Sequence, residues 1–227
     1  MRYGKMLGRS SMCLFGTLVI TAMGQAEPRL AFRTSVTGTG DLSSWPEAQG
    51  QKGLAAGDMI CRTLAQAAGL PEPEIFIAWL SDQNTDAYCR LFDLTGKKGD
   101  DCGQATLPTG AGPWNRVDGV AFADTIEKAL DQGRIYSPLV VDEHGIAPDY
   151  GWEGFAFTGT GIDGTYEGAV GWAGDCAGWA STQQFAPAGE AHSTTGDWTF
   201  HGQSITCGFP ARLICLQKGT GTALAPT

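Results

Sequence analysis

The chain encodes an α+β domain in which two helices and short strands are joined by long loops and held by three disulfides. Three observations point to this class. Residues 53–82 read as one amphipathic helix, a sharp stop and a strand with almost no polar face. Glycine is frequent, 33 of 227 residues, and only 17% are charged, which suits short strands and loops better than a helical bundle. Beyond the first 26 residues lie Cys61, Cys89, Cys102, Cys176, Cys207 and Cys215, an even set with no C-x-x-C pair.

The amino end sets the compartment in which those cysteines are read. Arg2, Lys5 and Arg9 precede an apolar run over 12–23 and then Gly24-Gln25-Ala26. This is the layout of a secretory signal peptide over residues 1–26, cleaved after Ala26, and the run is too short to span a bilayer. Cys13 lies inside the run and not after a small-residue box, which argues against a lipid anchor. The expected product is secreted or periplasmic and keeps no stable membrane anchor. Losing three cations takes the formal net charge from −9 to −12. Such acidity argues against nucleic acid and against polyanions such as heparin and is compatible with a neutral glycan, a basic protein or calcium. In an oxidising compartment six cysteines imply three bridges, and spacing alone leaves fifteen pairings.

The elements follow in order. Residues 30–36 form an opening strand. Over 54–68, Ile60, Leu64 and Ala67 make a helical stripe with Gly57, Cys61 and Ala68 beside it; Asp58 sits toward the positive end of the dipole, and Gly69 and Pro71 stop the helix. Ile75 to Leu80 is apolar on both alternating faces, hence a strand buried on two sides. Residues 82–113 are a polar excursion holding Cys89 and Cys102. A second helix starts with Asp124 and Glu127 in a capping-box-like pair, presents Phe122, Ile126, Ala129 and Leu130, and ends at Gly133. Residues 135–141, with Pro138, read as an edge strand, 153–158 as another, 159–196 as mostly loop, and 198–200 and 211–216 as closing strands. Residues 27–218 are the folded domain, and 219–227 are expected to be a disordered tail.

The order of parts resembles a known family. A helix with one cysteine runs through Ala68-Gly69-Leu70-Pro71 into Phe76-Ile77-Ala78-Trp79-Leu80-Ser81. Then come Gly133-Arg134-Ile135-Tyr136-Ser137, Ala156-Phe157-Thr158-Gly159-Thr160 and Cys176-Ala177-Gly178-Trp179-Ala180-Ser181, and the chain closes with Cys207 and Arg212-Leu213-Ile214-Cys215-Leu216. From about Leu30 to Lys218 this resembles the endostatin-like branch of the C-type-lectin-like fold, and more closely bacterial exported domains of unassigned function. The resemblance implies mostly antiparallel strands and nested bridges, Cys61 to Cys215 outside Cys176 to Cys207, with Cys89 and Cys102 left as a local pair. The calcium-and-sugar tripeptides Glu-Pro-Asn, Gln-Pro-Asp and Trp-Asn-Asp are absent, and the nearest piece, Gly196-Asp197-Trp198, has another order. Endostatin's basic surface and a histidine-rich start are absent too, so zinc and heparin binding are not implied.

Candidate functional residues gather in the second half. Asp142, Glu143, Asp163 and Asp175 are carboxylates of the kind calcium prefers, yet no EF-hand spacing occurs, so calcium is left open and no cofactor is assigned. Trp152 and Trp172 among glycines suit stacking on a sugar or anchoring a protein. The run Gly159 to Gly164 matches G-x-G-x-x-G, but no helix follows it, so it reads as a turn. No H-E-x-x-H or G-x-S-x-G occurs and no catalytic residue is assigned. The expected function is a non-catalytic binding module recognising a glycan or an extracytoplasmic protein through its long loops. The alternatives are an exported hydrolase using His144 with nearby carboxylates and a structural envelope protein.

Overall fold

The computed structural model describes Met1 and residues 27–131, 133–147, 154–168 and 174–222. Its centre is a strand near the carboxyl end. Strand β8, Arg212–Gln217, is buried at all six positions. Its apolar run Leu213-Ile214-Cys215-Leu216 suits a position with cover on both faces. On one edge β8 pairs antiparallel with β1, Arg29–Arg33. The other edge is shared. β2, Phe76–Ala78, takes the Cys215–Gln217 half antiparallel, and β5, Phe155–Phe157, takes Arg212 and Leu213 in parallel. Where β2 leaves β8, Trp79 N still donates to Ile214 O (2.8 Å) and Ser81 N donates to Thr158 O (2.9 Å). The chain thus crosses from one partner to the next.

Around this hub the sheet extends both ways. β3, Trp114–Arg116, lies parallel to β1, and β4, Ala121–Ala123, pairs with β3. On the far side β6, Phe185–Glu190, pairs with β5, and β7, Ser204–Thr206, pairs with β6. The order is β4-β3-β1-β8-β5-β6-β7, with β2 beside β8, an eight-stranded mixed sheet among the described residues.

Period-two alternation divides the core. Ala31, Ile77, Trp79, Ile214 and Leu216 face one side, with Phe122, Ile126, Leu130 and Trp198. Phe32, Phe76, Ala78, Leu213 and Cys215 face the other, against Ile60, Leu64 and Trp179. The second layer is capped by α1, Gly53–Ala67. It lies close on the sheet because Gly57 has no side chain: a Cβ there would meet Leu80 Cδ1 at 2.6 Å. That approach brings Cys61 to Cys215, with Cα atoms 5.6 Å apart. Cys89 pairs with Cys102, and Cys176 with Cys207, the pairs that the resemblance implies. Three disulfides suit an oxidising, extracytoplasmic compartment. Among the described residues no helix is long and apolar enough to cross a membrane.

Several expectations are corrected. Ala67 points to solvent, and Ala56 and Ala65 take the inward places on α1. Phe122 belongs to β4, and the helix α3 spans Ile126–Asp131. Asp124 and Glu127 do not cap each other: Asp124 accepts from Lys128 and Tyr136, and Glu127 from Tyr88 and Gly110 N. Among the described residues, 135–141 make one bridge, Ile135 to Ala123, and Pro138 has no N–H for a ladder. Trp198 ends a 3-10 turn, Gly196–Trp198, where a strand was expected. Residues 219–222 are tied in and not loose: Gly219 N donates to Leu91 O, Gly221 N to Gly112 O, and Thr222 N to Glu27 O (3.4 Å). The expected signal peptide, residues 1–26, lies outside the described residues apart from Met1.

Candidate functional site

The loop-bearing half hangs on a buried hydroxyl junction where β2, β5 and the 3-10 turn meet. Ser81 and Thr160 share a hydrogen bond (2.9 Å), Ser81 Oγ also accepts from Ala87 N, and Thr158 Oγ1 donates to Thr199 O. Trp79 Nε1 donates to Thr199 Oγ1 and Trp179 Nε1 to Ser81 O. These tryptophans are therefore packed and bonded inside the fold, as core residues. These hydroxyls and two indole N–H groups are mutually satisfied in a low-dielectric junction, which fixes the origins of the loops, whereas Trp198 Nε1, on the ring stacked against Trp79, is buried with no acceptor among the described residues.

From that junction three segments converge. Gln83 N donates to Asp175 Oδ2 (3.2 Å), and Tyr166 N donates to Asp86 Oδ1 (2.9 Å). Lys97 pairs with buried Asp86 at 3.1 Å, and its ammonium lies 5.0 Å from the centre of the Tyr166 ring. Lys98 Nζ reaches Asp163 O. Burial first, and then the charges of Asp175 and Asp82, push the Tyr166 hydroxyl above the ordinary tyrosine range. Asp163 and Glu167 both lie against Gly161. Residues 82–86, 163–168 and Asp175 thus meet in one loop face: Asp82, Asp163 and Glu167 reach the surface, Asp86 and Asp175 are buried beneath it, Lys97 and Lys98 lie among them, and Ile162 is 56% exposed beside them.

The expected site residues do not form one constellation. Asp163 and Asp175 belong to this face, whereas Asp142 and Glu143 stand next to the end of β1. Asp142 Oδ1 accepts from His144 N and Ile146 N, closing its own turn. Glu143 is buried and accepts from Ser35 N (2.9 Å) and from the Ser35 hydroxyl. Asp163 Oδ1 accepts from Thr165 N and Oγ1, and Asp175 Oδ1 from Gly178 N. Among the described residues no three His, Cys, Asp or Glu side chains are grouped to hold a metal ion. His144 Nε2 is 3.9 Å from Glu143 Oε1 and its ring is half exposed. Trp152 and Trp172 lie outside the described residues. The Gly159–Gly164 run is a turn, with Gly164 N bonded to Gly161 O and Thr160 bridged to Tyr166.

Sequence reasoning missed a second polar cluster, on the outer edge of β2. That edge has no neighbouring strand among the described residues and is sealed by side chains. Arg62 Nε donates to Phe76 O (3.0 Å), Ala78 N donates to Asp58 Oδ1 (3.0 Å), and Arg90 donates to Ala78 O (2.6 Å) and Leu80 O (2.8 Å). Arg90, from the helical turn α2 (Ala87–Arg90), also holds Asp58. Asp58 was expected to serve the helix dipole, but its carboxylate leaves the helix for the strand. A bare edge invites pairing with another chain, and charged groups turned onto it prevent that. Helix spacing shows only that Asp58 and Arg62 share a face; the strand edge they meet is a long-range fact.

Fold and surface together define a disulfide-held α+β domain that presents an acidic loop face. No family model and no curated protein matches the chain.

Proposed function

We propose that the chain is an extracytoplasmic, non-catalytic binding module of the C-type-lectin-like, endostatin-related type, secreted or periplasmic, and that it recognises a basic partner protein through the face around Tyr166. The observation that supports this best is the convergence of 82–86, 163–168 and Asp175, which sets Asp82, Asp163 and Glu167 at the surface around one tyrosine, with Asp86 and Asp175 buried beneath them. The nested bridges and the strand β8 with three neighbours are in keeping with that fold.

A protein partner is favoured over a calcium-held sugar for a specific reason. Asp142, Asp163 and Asp175 each commit an oxygen to main-chain N–H groups, so they act as fixed charges more than as free ligands. Exposed Ile162 adds an apolar contact at the rim. A hydrolase centred on His144 is less well supported. Its nearest carboxylate, buried Glu143, is already engaged by Ser35 N and the Ser35 hydroxyl, and His144 Nε2 stands 3.9 Å from it, beyond hydrogen-bond reach.

A glycan array run with and without calcium, followed by capture from an extracytoplasmic extract, tests the reading. Silence on both arrays is expected, with capture of a basic protein that is lost in Ile162→Glu and in Asp163→Lys. A reproducible glycan signal, or capture indifferent to both variants, overturns it; a hydrolytic activity lost in His144→Ala would favour the rival.

A further inference from the structure

Away from the Tyr166 face, two clefts meet at one ion pair. The first, about 240 Å³, is lined by Leu54, Asp58, Arg62, Leu94 and the pair Asp93 and Lys218. The second, about 340 Å³, is lined by Arg29, Glu72, Ile75, Phe92 and the same pair. The two partners are held very differently. Lys218 follows β8 directly, its N–H bonded to Ile75 O (3.1 Å), and its side chain is 21% exposed. Asp93 sits in the turn after α2 with φ of +61°, a conformation L-residues seldom adopt, and its side chain is 79% exposed. The cation is fixed to the sheet, and the anion is on a protruding turn.

Arg29 shows the same asymmetry, whereas Arg62 is more exposed than its partner Asp58. Arg29 pairs at 3.0 Å with Glu72, whose side chain is 57% exposed, and the Arg29 Nε is buried with no acceptor. Arg62 uses Nε on Phe76 O, and its terminal nitrogen is 3.9 Å from Asp58. A chain with net charge −9 thus carries Arg29, Arg62 and Lys218 along one seam. Two of their carboxylate partners lie outermost, where water screens them.

We propose that this seam is a second binding site, independent of the Tyr166 face, for an acidic peptide segment with apolar flanks. A peptide carboxylate takes the place of Asp93 on Lys218, and the neighbouring side chains enter the two clefts. Exchanging one carboxylate for another nearly cancels in Coulomb energy, and an exposed pair is weak enough to open. Affinity then comes from apolar contact with Leu54 and Leu94 on one side and Ile75 and Phe92 on the other. An acidic sugar fits less well, because its ring hydroxyls would face these aliphatic walls unpaired.

The test uses the oxidised protein and NMR titration with acetyl-Leu-Glu-Leu-amide, with acetyl-Leu-Gln-Leu-amide and digalacturonate as comparisons. Amide shifts at Leu94, Lys218 and Gly219 are expected with the acidic peptide, about tenfold weaker with the neutral one. Asp93→Asn keeps a residue tolerant of positive φ and removes the internal competitor, so it is expected to bind several-fold tighter. Lys218→Met is expected to lose binding, with its melting temperature checked against wild type. No shift at the seam in either wild type or Asp93→Asn overturns the proposal, as does unchanged affinity in Asp93→Asn. Response to digalacturonate but not to the peptide overturns the peptide and assigns the seam to uronates.

Discussion

Arg90→Met removes the keystone of the β2 edge. The guanidinium is 8% exposed and serves three acceptors: Ala78 O at 2.6 Å, Leu80 O at 2.8 Å and the Asp58 carboxylate. Methionine fills much of the volume and donates to none of them. A buried charge-assisted hydrogen bond contributes ~1.5–3 kcal/mol. Stripping one partner from a buried ion pair costs ~3–5 kcal/mol, because the other charge is left without compensation. Asp58 is 18% exposed and keeps Ala78 N, with Arg62 at 3.9 Å, so part of its charge stays satisfied. The expected loss is therefore about 3 kcal/mol, toward the lower end. Urea unfolding with disulfides intact, followed by tryptophan fluorescence, measures it, since Trp79 directly follows β2 and is fully buried. Asp58→Asn in the Arg90→Met background is expected to be milder than the sum of the single changes, the mark of direct coupling. A loss below about 1 kcal/mol, or strict additivity in the double variant, would show that the edge is held by packing alone.

Other outcomes follow from the same structure. Replacing Cys61 and Cys215 by serine opens a 154-residue separation and is expected to cost about 5 kcal/mol, whereas the 13-residue Cys89–Cys102 loop costs about 3 kcal/mol; equal losses in denaturant melts would contradict this ranking. Cys176, Ala177, Gly178 and Trp179 all have φ between +52° and +71°, a left-handed turn within α4, Cys176–Trp179. Ala177→Gly at its exposed tip is therefore expected to raise stability by about 1 kcal/mol, and a lowered unfolding midpoint would refute it. The Arg116 guanidinium bonded to Asp118 holds that carboxyl below the usual range, against the opposing effect of burial. Its folded value lies under the unfolded one, so its contribution is full above the ordinary carboxylate pKa and fades as pH falls through the lowered value. Asp118→Asn is expected to be less stable near neutrality, with the gap closing in acid; a gap that widens in acid would reverse the assignment.

What could be read from the chain, and what could not, divides along physical lines. The helix α1, the strand β2 and the strand β8 were legible because each buries a long apolar pattern whose period is local. β6 was not. Phe185-Ala-Pro-Ala-Gly-Glu has poor strand propensity, and Pro187 cannot donate to a ladder. It is a strand because of its surroundings: Pro187 O accepts from Thr158 N and Gly159 N, and a Cβ on Gly189 would strike Trp198 O at 2.0 Å. The acidic face shows the same limit. Asp163 and Asp175 were visible as loop carboxylates, but Asp86 and Tyr166 are 80 residues apart and meet only through the fold. Asp142 and Glu143 have the right chemistry for a ligand site and are spent on structure, Asp142 on its own turn and Glu143 on Ser35, 108 residues away, a difference that composition cannot express.

The contact between Thr222 and Glu27 has a practical corollary. Entry and exit of the described domain emerge side by side, so a few residues of linker suffice to join them, and the chain can be reopened at the hairpin tip around Asp118 and Gly119. A circular permutant of that kind keeps every disulfide and every strand pair. By the same geometry the domain can be spliced as an insert into a host protein's surface loop without prying the host apart.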